Sequence, residues 1–439
     1  MLPIETFVIN LKERSDRLDH IKGEFKNRPE FNLHIEEAEK HSVGAVGLWN
    51  SAHRIIRKAK DRRLPFILVC EDDHLFTVHY SADRLQSAIE QAMQNNASLL
   101  LGGVSSIHTA IEVPSTSLFW VNLFSGSQFV IVFKEAYDAI LATTFHSTDH
   151  IDLVLSRLFP HKYIISPFIS VQREFGHSDV TPFYSVNPGY VDKLFANSDT
   201  DLGDLRRVGN YYRDLQGQIH LEEIYLNEVT ENFSIPVYLF TKDITEGQVV
   251  IDQQFSNRSE FEAELIYLDN SETAFWNAAQ QIVKAAAENE EDLIIFCNDK
   301  HIFTEDYNVK VLFRNILEAQ EQQVDILIGG VHSFHNAVSI TDGRYWVNGA
   351  LGAQFLIIYR SCFDKILSAS IAEYNTTRLG EDHLCATTSN KMILYPFITT
   401  PSAITVTDSL RRGNGNIVVD TKTAAEKLRI YLECTHDFR

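Results

Sequence analysis

Cysteine is scarce, with five among 439 residues (Cys70, Cys297, Cys362, Cys385 and Cys434), and no two form a CxxC pair. That absence excludes a zinc knuckle and points to a reducing compartment. Cys70 and Cys297 close apolar, strand-like runs, where a small buried thiol packs well. Long hydrophobic runs are missing too: SLLLGGV and FILVC fall far short of the roughly 18 apolar residues that argue for a membrane span. The segment MLPIETFVINLKERSDR has a short apolar stretch followed at once by charge, with no h-region or cleavage site, so a cytoplasmic location is expected. Positive charge is in deficit, 39 Lys and Arg against 59 Asp and Glu, for a formal net charge of −20. With no Lys/Arg stripe to offset it, nucleic acid is excluded as a partner. A local basic pocket for a nucleotide or phosphate stays open. Low-complexity tracts are absent, and His146 and His150, at helical i,i+4 spacing, lack the HExxH context of a metal pair.

What is present is a composition typical of a globular protein, 44% hydrophobic and 22% charged, on a chain long enough for two to three compact units. The chain also repeats itself. GLWNSAHRIIRKAKDRRLPFILVCEDDHLF, from Gly47, matches AFWNAAQQIVKAAAENEEDLIIFCNDKHIF, from Ala274, without a gap; Trp276, Cys297 and Phe303 each lie 227 positions beyond Trp49, Cys70 and Phe76. LLLGGVSSIHTA and ILIGGVHSFHNA continue the match at the same offset, FWVNLFSGSQFVIVF and YWVNGALGAQFLIIY follow with one residue deleted, and YIISPFISV answers MILYPFITT. Agreement in order, spacing and residue type implies a tandem duplication.

Each copy alternates strands and helices. ETFVINL and IPVYLF read as opening strands, NSAHRIIRKA and NAAQQIVKAA as amphipathic helices, PFILVC and DLIIFC as buried strands, and a further apolar strand ends in Gly-Gly. This alternation predicts an α/β fold in which each copy is a mostly parallel sheet flanked by helices. The expected domains are residues 1–182, a linker at 183–232 with a helical stretch DLGDLRRVGNYYRDL, a second copy at 233–415, and a tail at 416–439 carrying the helix AAEKLRIYLE.

Ligands bind at the carboxyl ends of strands in open parallel sheets. Glu71, Asp72 and Asp73 stand where PFILVC ends, and three adjacent carboxylates repel one another unless a cation neutralises them. Hard oxygen ligands suit Mg²⁺ or Mn²⁺ better than zinc. A solvated acidic turn is the plain alternative for an isolated EDD.

The motif lies within a larger arrangement that resembles the family 25 glycosyltransferases, which include lipopolysaccharide-type and collagen galactosyltransferases. VINLKERSDR is similar to the family's opening strand through Asn10, Leu11, Arg14, Asp16 and Arg17. GAVGLWNSAHRII resembles its Gly-x-x-Gly and Ser-His helix, with Ala52 inserted between Ser51 and His53; CEDDHLF resembles its Glu-Asp-Asp motif, and GSQFVIVFKEAYDAIL the strand and helix that follow. HIDLVLSRLF supplies a downstream Asp152, and SPFISVQREFGHSDVT resembles the closing segment through Pro167, Gln172, Ser178 and Asp179. The likeness covers about residues 4 to 181. EAEKHSV replaces the family's acidic-Gly segment.

The resemblance implies a GT-A fold and an inverting transferase that moves a hexose, galactose or glucose by default, from a UDP-sugar to a hydroxyl of a glycan or peptide. It implies that Asp72 and Asp73 hold Mn²⁺ or Mg²⁺ against the diphosphate, with Glu71 in contact or orienting them; Arg14 and Arg17, just past the first strand, either reach the phosphates or base or lie on a helix surface. Asn10, closing an apolar strand, has a turn or a ligand to satisfy; Gln128, retained as Gln354, fixes a strand or touches sugar; Gln172 belongs to the nucleotide-sugar set. Asp152 is the expected base, with Asp149 and Asp179 as rivals and an N-cap role as the structural alternative.

The second copy keeps its apolar positions and loses the chemistry. Asn298, Asp299 and Lys300 replace the three carboxylates, TKDITEG lacks the two arginines, and Pro401 stands where Gln172 stood. A lysine repels a divalent ion directly, which suggests a pseudo-transferase module serving stability, homodimerisation or acceptor holding, with Glu381, Asp382 and His383 as its remaining polar candidates. Two rival functions remain open: a nucleotide-sugar-binding or scaffolding protein without turnover, and a metal phosphoesterase. The acidic surface and lack of a second carboxylate cluster weaken the latter.

Overall fold

A computed structural model describes residues 3–176, 187–370, 380–400, 408–411, 417–420 and 422–435. Ser178, Asp179 and Pro401 lie outside the described residues. The chain forms two compact units, residues 1–206 with 408–420 and 429–439, and residues 207–407 with 421–428.

In the first unit the elements run β1 (Ile4–Asn10), α1 (Ser15–Phe25), β2 (Phe31–Glu37), α2 (Gly44–Asp61), β3 (Phe66–Glu71), β4 (His74–Phe76), α3 (Ala82–Gln94), β5 (Leu99–Leu101), β6 (Ser106–Ile107), β7 (Ala110–Glu112), β8 (Leu118–Val121), β9 (Phe124–Ser125) and β10 (Phe129–Phe133). They continue with α4 (Lys134–Ala142), α5 (Ile151–Leu158), β11 (Lys162–Ile165), β12 (Ser170–Gln172) and α6 (Tyr190–Gln216), which runs on past Arg206. The sheet order is β2-β1-β3-β10-β5-β11-β8-β7.

The sequence predicts a mostly parallel sheet, and the structure has a mixed one. β1 pairs in parallel with β2 and β3, and β5 with β11. β10 enters antiparallel between β3 and β5, and β8 runs antiparallel to β11 and β7. Only β7 and β8 are joined by a short hairpin; β10 meets β3 and β5, and β8 meets β11, across long stretches of chain, so their directions are set by tertiary assembly and not by a local connection. The strands are apolar runs: every residue of β10 and all of β1 beyond Glu5 are buried.

Helix α2 shows how the site is carried. Ala45, Gly47, Trp49, Ser51, Ile55, Ile56 and Ala59 recur at helical spacing and are all buried, so the helix packs on β1 and β3. Each fully buried Ile contributes on the order of 1.5–3 kcal/mol. Arg54 and Lys58, off this buried stripe, pair with Glu36.

The second unit includes α7 (Glu223–Asn232), β13 (Ile235–Thr241), α8 (Ile244–Val250), β14 (Phe261–Tyr267), α9 (Ala274–Glu288), β15 (Leu293–Asn298), α10 (Val309–Glu321), β16 (Ile326–Gly330), β17 (Asn336–Thr341), β18 (Arg344–Asn348), β19 (Gln354–Tyr359), α11 (Arg360–Ser368), α12 (Gly380–Ala386) and β20 (Lys391–Leu394). Its strand order is β14-β13-β15-β19-β16-β20-β18-β17. Its core contacts echo those of the first unit: Arg28 lies over Phe76 and Tyr80, and Arg258 over Phe303 and Tyr307. Tyr80 donates to Glu30, and Tyr307 to Glu260. The stretch expected to be a linker is largely helical, in α6 and α7.

Candidate functional site

β1 and β3 are parallel, in register at Ile9 and Glu71, so Asn10 and the three carboxylates leave the sheet at one level. The turn after β1 is closed by the Arg14 N–H donating to Leu11 O at 2.8 Å. It delivers Arg14 just before α1 and Arg17 in that helix's first turns. β4 pairs antiparallel with β12, setting Gln172 opposite His74 and beside Asp73.

These elements surround a cavity of about 430 Å³. Of the candidates read from sequence, Arg14, Arg17, Glu71, Asp72, Asp73, Asp152 and Gln172 line it; Asn10, Gln128 and Asp149 do not. Asn10 is buried and works through its neighbours, its amide donating to Asp72 Oδ2 at 2.8 Å and to Arg14 O at 3.2 Å. Gln128 is buried behind the wall, donating to Gly103 O and Ser170 Oγ, each at 3.2 Å. Asp149 accepts the His146 N–H at 2.7 Å and closes a turn before α5.

The carboxylates are held mainly by one arginine. Arg17 Nη1 lies 2.9 Å from Asp72 Oδ1 and 3.1 Å from Asp73 Oδ2. Gln172 donates to Asp73 Oδ2 at 2.9 Å. Asp73 Oδ1 is buried with no hydrogen-bond partner. Burial, then the charges of Asp73 and Asp72, push the Glu71 carboxyl up to about 8. Burial likewise raises Asp73 to about 6, with Arg17 opposing the shift. Burial works against the Arg17 charge, but Asp73, Asp72 and Glu71 outweigh it and raise that group's pKa.

Asp152, in the first turn of α5, accepts from the Gly126 N–H at 3.0 Å through Oδ2 and from the Leu153 N–H at 2.9 Å through Oδ1. Gly126 has φ +88°, and a Cβ there would stand 2.9 Å from the Ser105 N. Asp152 therefore fixes a turn that only glycine fits well. This turn and the antiparallel β6–β9 pair, which brackets β7 and β8, bring Ser105, Ser106, Ser125 and Ser127 to the wall. These serines, with Lys40, His41, His150 and Tyr190, are lining residues that the sequence reading missed. The Gly-Ser composition of FSGSQ was the available signal; for Lys40 and His41 there was none, since EAEKHSV departs from the family pattern.

Whether a divalent cation fits can be tested on these side chains. Donor type fits: Glu71, Asp72 and Asp73 line the cavity, and the buried Asp73 Oδ1 has no hydrogen-bond partner, though Arg14 and Arg17 line it too. Spacing does not fit as the side chains stand. Among the described residues no group of three His, Cys, Asp or Glu is arranged to hold a metal ion, and Asp72 and Asp73 are turned onto Arg17.

In the second unit, Asn298 donates to Glu381 at 2.7 Å and Gln354 donates to Asn298 Oδ1 at 2.8 Å. Asp299 accepts from Thr241 Oγ1 at 2.7 Å, and the exposed Lys300 pairs with Glu246 at 2.8 Å. Burial raises Glu381 to about 7. Asp382 accepts the Ala353 N–H at 3.1 Å, and His383 is buried on α12.

No protein-family model and no curated protein matches the chain. Among solved structures, A197 from STIV is 11% identical, over 43% of this chain and 95% of its own, with a TM-score of 0.27. Apo-UDP-glucose pyrophosphorylase is 8% identical, over 53% of this chain and 77% of its own, with a TM-score of 0.22. Similarity this low establishes no shared fold or activity. No helix among the described residues is long and apolar enough to cross a membrane.

Proposed function

We propose that the first unit is a metal-dependent inverting glycosyltransferase of the family 25 type, moving a hexose from a nucleotide-sugar, UDP-linked by default, to a hydroxyl of a glycan or peptide. The observation that carries this is the meeting of Glu71, Asp72 and Asp73 with Arg14 and Arg17 around one cavity, at the carboxyl ends of two parallel strands. The reaction type is supported only by the resemblance of the sequence to family 25.

In this reading Arg14 and Arg17 would bind the diphosphate, and Asp72 and Asp73, with Glu71, are the residues that would hold Mn²⁺ or Mg²⁺ once turned away from Arg17. The cation's chemistry when bound is Lewis-acid stabilisation of the charge that develops on the departing diphosphate, by several kcal/mol. Asn10 and Gln172 orient the two aspartates through the hydrogen bonds they already make. The serine-rich wall offers hydroxyls to a sugar. Asp152 faces this cavity and is the proposed base for the acceptor proton; both its oxygens already accept backbone N–H groups, so it also holds the Gly126 turn. The second unit, with Lys300 in place of the last carboxylate, is non-catalytic and serves stability, dimerisation or acceptor holding.

A second reading, a nucleotide-sugar-binding module without turnover, is favoured by the Arg17 guanidinium already seated on both aspartates. A panel of sugar nucleotides with Mn²⁺, read as product release and thermal shift, separates the two. Because 1.36 kcal/mol is tenfold in rate, Asp73→Ala should lower turnover at least ~100-fold, with Lys300→Asp near wild type. Donor binding by wild type without product would leave the binding-module reading, and unchanged turnover in Asp73→Ala would refute the site.

A further inference from the structure

We infer that Arg173 is an anion-recognition residue at the edge of the cavity, taking a phosphate or carboxylate group carried by the ligand that docks there. The inference rests on the cavity being the ligand site and involves no metal. β12 sets Gln172 in the cavity wall, and the next residue is pinned beside it, the Arg173 N–H donating to Asp73 O at 2.7 Å. Arg173 is exposed, yet its side chain is held. The guanidinium lies 5.0 Å from the Phe175 ring, whose other cationic neighbour at 5.1 Å is the cavity-lining Arg17. Arg173 Nη1 also donates to His20 Nδ1 at 3.0 Å. His20 Nε2 lies 2.9 Å from the carbonyl oxygen of His74, so that nitrogen carries the proton and Nδ1 the lone pair that Arg173 meets. Both partners, a ring and a neutral imidazole, position the guanidinium without cancelling its charge. The adjacent carboxylate is committed elsewhere, Glu174 accepting the Gly189 N–H at 2.7 Å and the Val191 N–H at 2.9 Å. Among the described residues Arg173 forms no ion pair. A guanidinium has five N–H donors in one plane; with one spent on His20, donors remain for an incoming oxyanion. On a chain of net charge −20, which repels anions in general, a fixed and uncompensated cation gives an anionic ligand a local place to dock. Holding the side chain in advance lowers the entropy lost on binding. Two sources offer such a group, the acceptor and the nucleotide's diphosphate, and the choice of probes separates them.

The test is titration calorimetry on the full chain with uridine, UDP and glucose 1-phosphate, at low and at high salt, for wild type, Arg173→Ala and Arg173→Lys. Arg173→Ala should bind the anionic probe that reaches this residue about tenfold more weakly than wild type, the usual worth of a charge-assisted hydrogen bond. Arg173→Lys, which keeps the charge and loses the planar fork, should fall between them. The gap between wild type and Arg173→Ala should narrow as salt rises, and uridine should bind all three alike. A loss confined to glucose 1-phosphate supports the inference with the acceptor as the source, and a loss confined to UDP supports it with the diphosphate as the source. Unchanged affinity for both anions in Arg173→Ala overturns the inference and leaves the nucleotide-sugar reading standing if UDP still binds. Equal weakening of uridine and of the anions, at either salt, also overturns it, because that is the mark of a structural role. Binding of glucose 1-phosphate that depends on Arg173, with no binding of uridine or UDP, keeps the inference and sinks the nucleotide reading. No binding of any probe to wild type overturns both. Should Arg173→Ala fail to fold, the neutral Arg173→Gln carries the same comparison.

Discussion

Replacing Glu71 by Gln should make the protein more stable at neutral pH and less active. The Glu71 carboxyl titrates near 8, against 4.5 for an ordinary glutamate, because burial and the neighbouring Asp73 and Asp72 charges disfavour its ionised form. The unfolded chain therefore gives up this proton at lower pH than the folded one. Folding stability falls as pH rises above 4.5, by up to 1.36 kcal/mol per unit, and levels off above 8. At pH 7 the ceiling is about 3 kcal/mol, and since solvent reaches part of Glu71, about 2 kcal/mol is the working figure. Gln cannot ionise and escapes this penalty. For a unit of roughly 200 residues, about 2 kcal/mol corresponds to a Tm rise of about 4–8 °C. Differential scanning calorimetry between pH 4.5 and 8.5, in chelator, should show Glu71→Gln gaining on wild type as pH rises and matching it at pH 4.5. A Tm lowered by the same amount at every pH would refute the reasoning, because it would mean that Glu71 is held by favourable partners.

Three further perturbations address the fold. His301 is buried against Phe255, Phe303 and Phe355, and burial lowers its pKa from 6.5 to about 3; folding stability is complete above pH 6.5 and declines below it. His301→Phe should remove about 2 kcal/mol of the loss at pH 5, measured by urea unfolding across pH, and a folded-state His301 resonance titrating near 6.5 would contradict this. A Cβ at Gly47 would stand 2.3 Å from the backbone oxygen of Glu39, next to cavity-lining Lys40 and His41. Gly47→Ala should cost about 1–3 kcal/mol and weaken UDP binding by titration calorimetry, and full wild-type affinity would show that this segment takes no part. Arg344, fully buried, lies 3.1 Å from Glu318 and donates to Asn315, Gln216 and Gln322. Arg344→Met should destabilise the second unit by about 3–5 kcal/mol, because it strands those partners; denaturant melting with no change in midpoint would disprove it.

Local pattern made much of the architecture legible. β1, β3, α2 and their counterparts β13, β15 and α9 were readable because apolar runs and helical spacing follow from the chain's own periodicity. The carboxylates' place at a strand end was readable for the same reason: Cys70 is the last apolar residue before charge. The inserted antiparallel β10 was not, because strand direction depends on how distant segments meet, and a buried parallel strand and a buried antiparallel one share the same composition.

By itself the sequence determined which residues could carry charge at the end of β3, and that Asn298, Asp299 and Lys300 stand at the end of β15 in the second unit, since these are matters of residue identity and spacing. Only the tertiary structure decided which of them touch. It set Arg17 on Asp72 and Asp73 across 55 and 56 positions of chain, moved Gln128 and Asp149 off the cavity, and raised the Glu71 pKa. Burial and charge proximity are properties of three-dimensional distance, and sequence separation does not encode them.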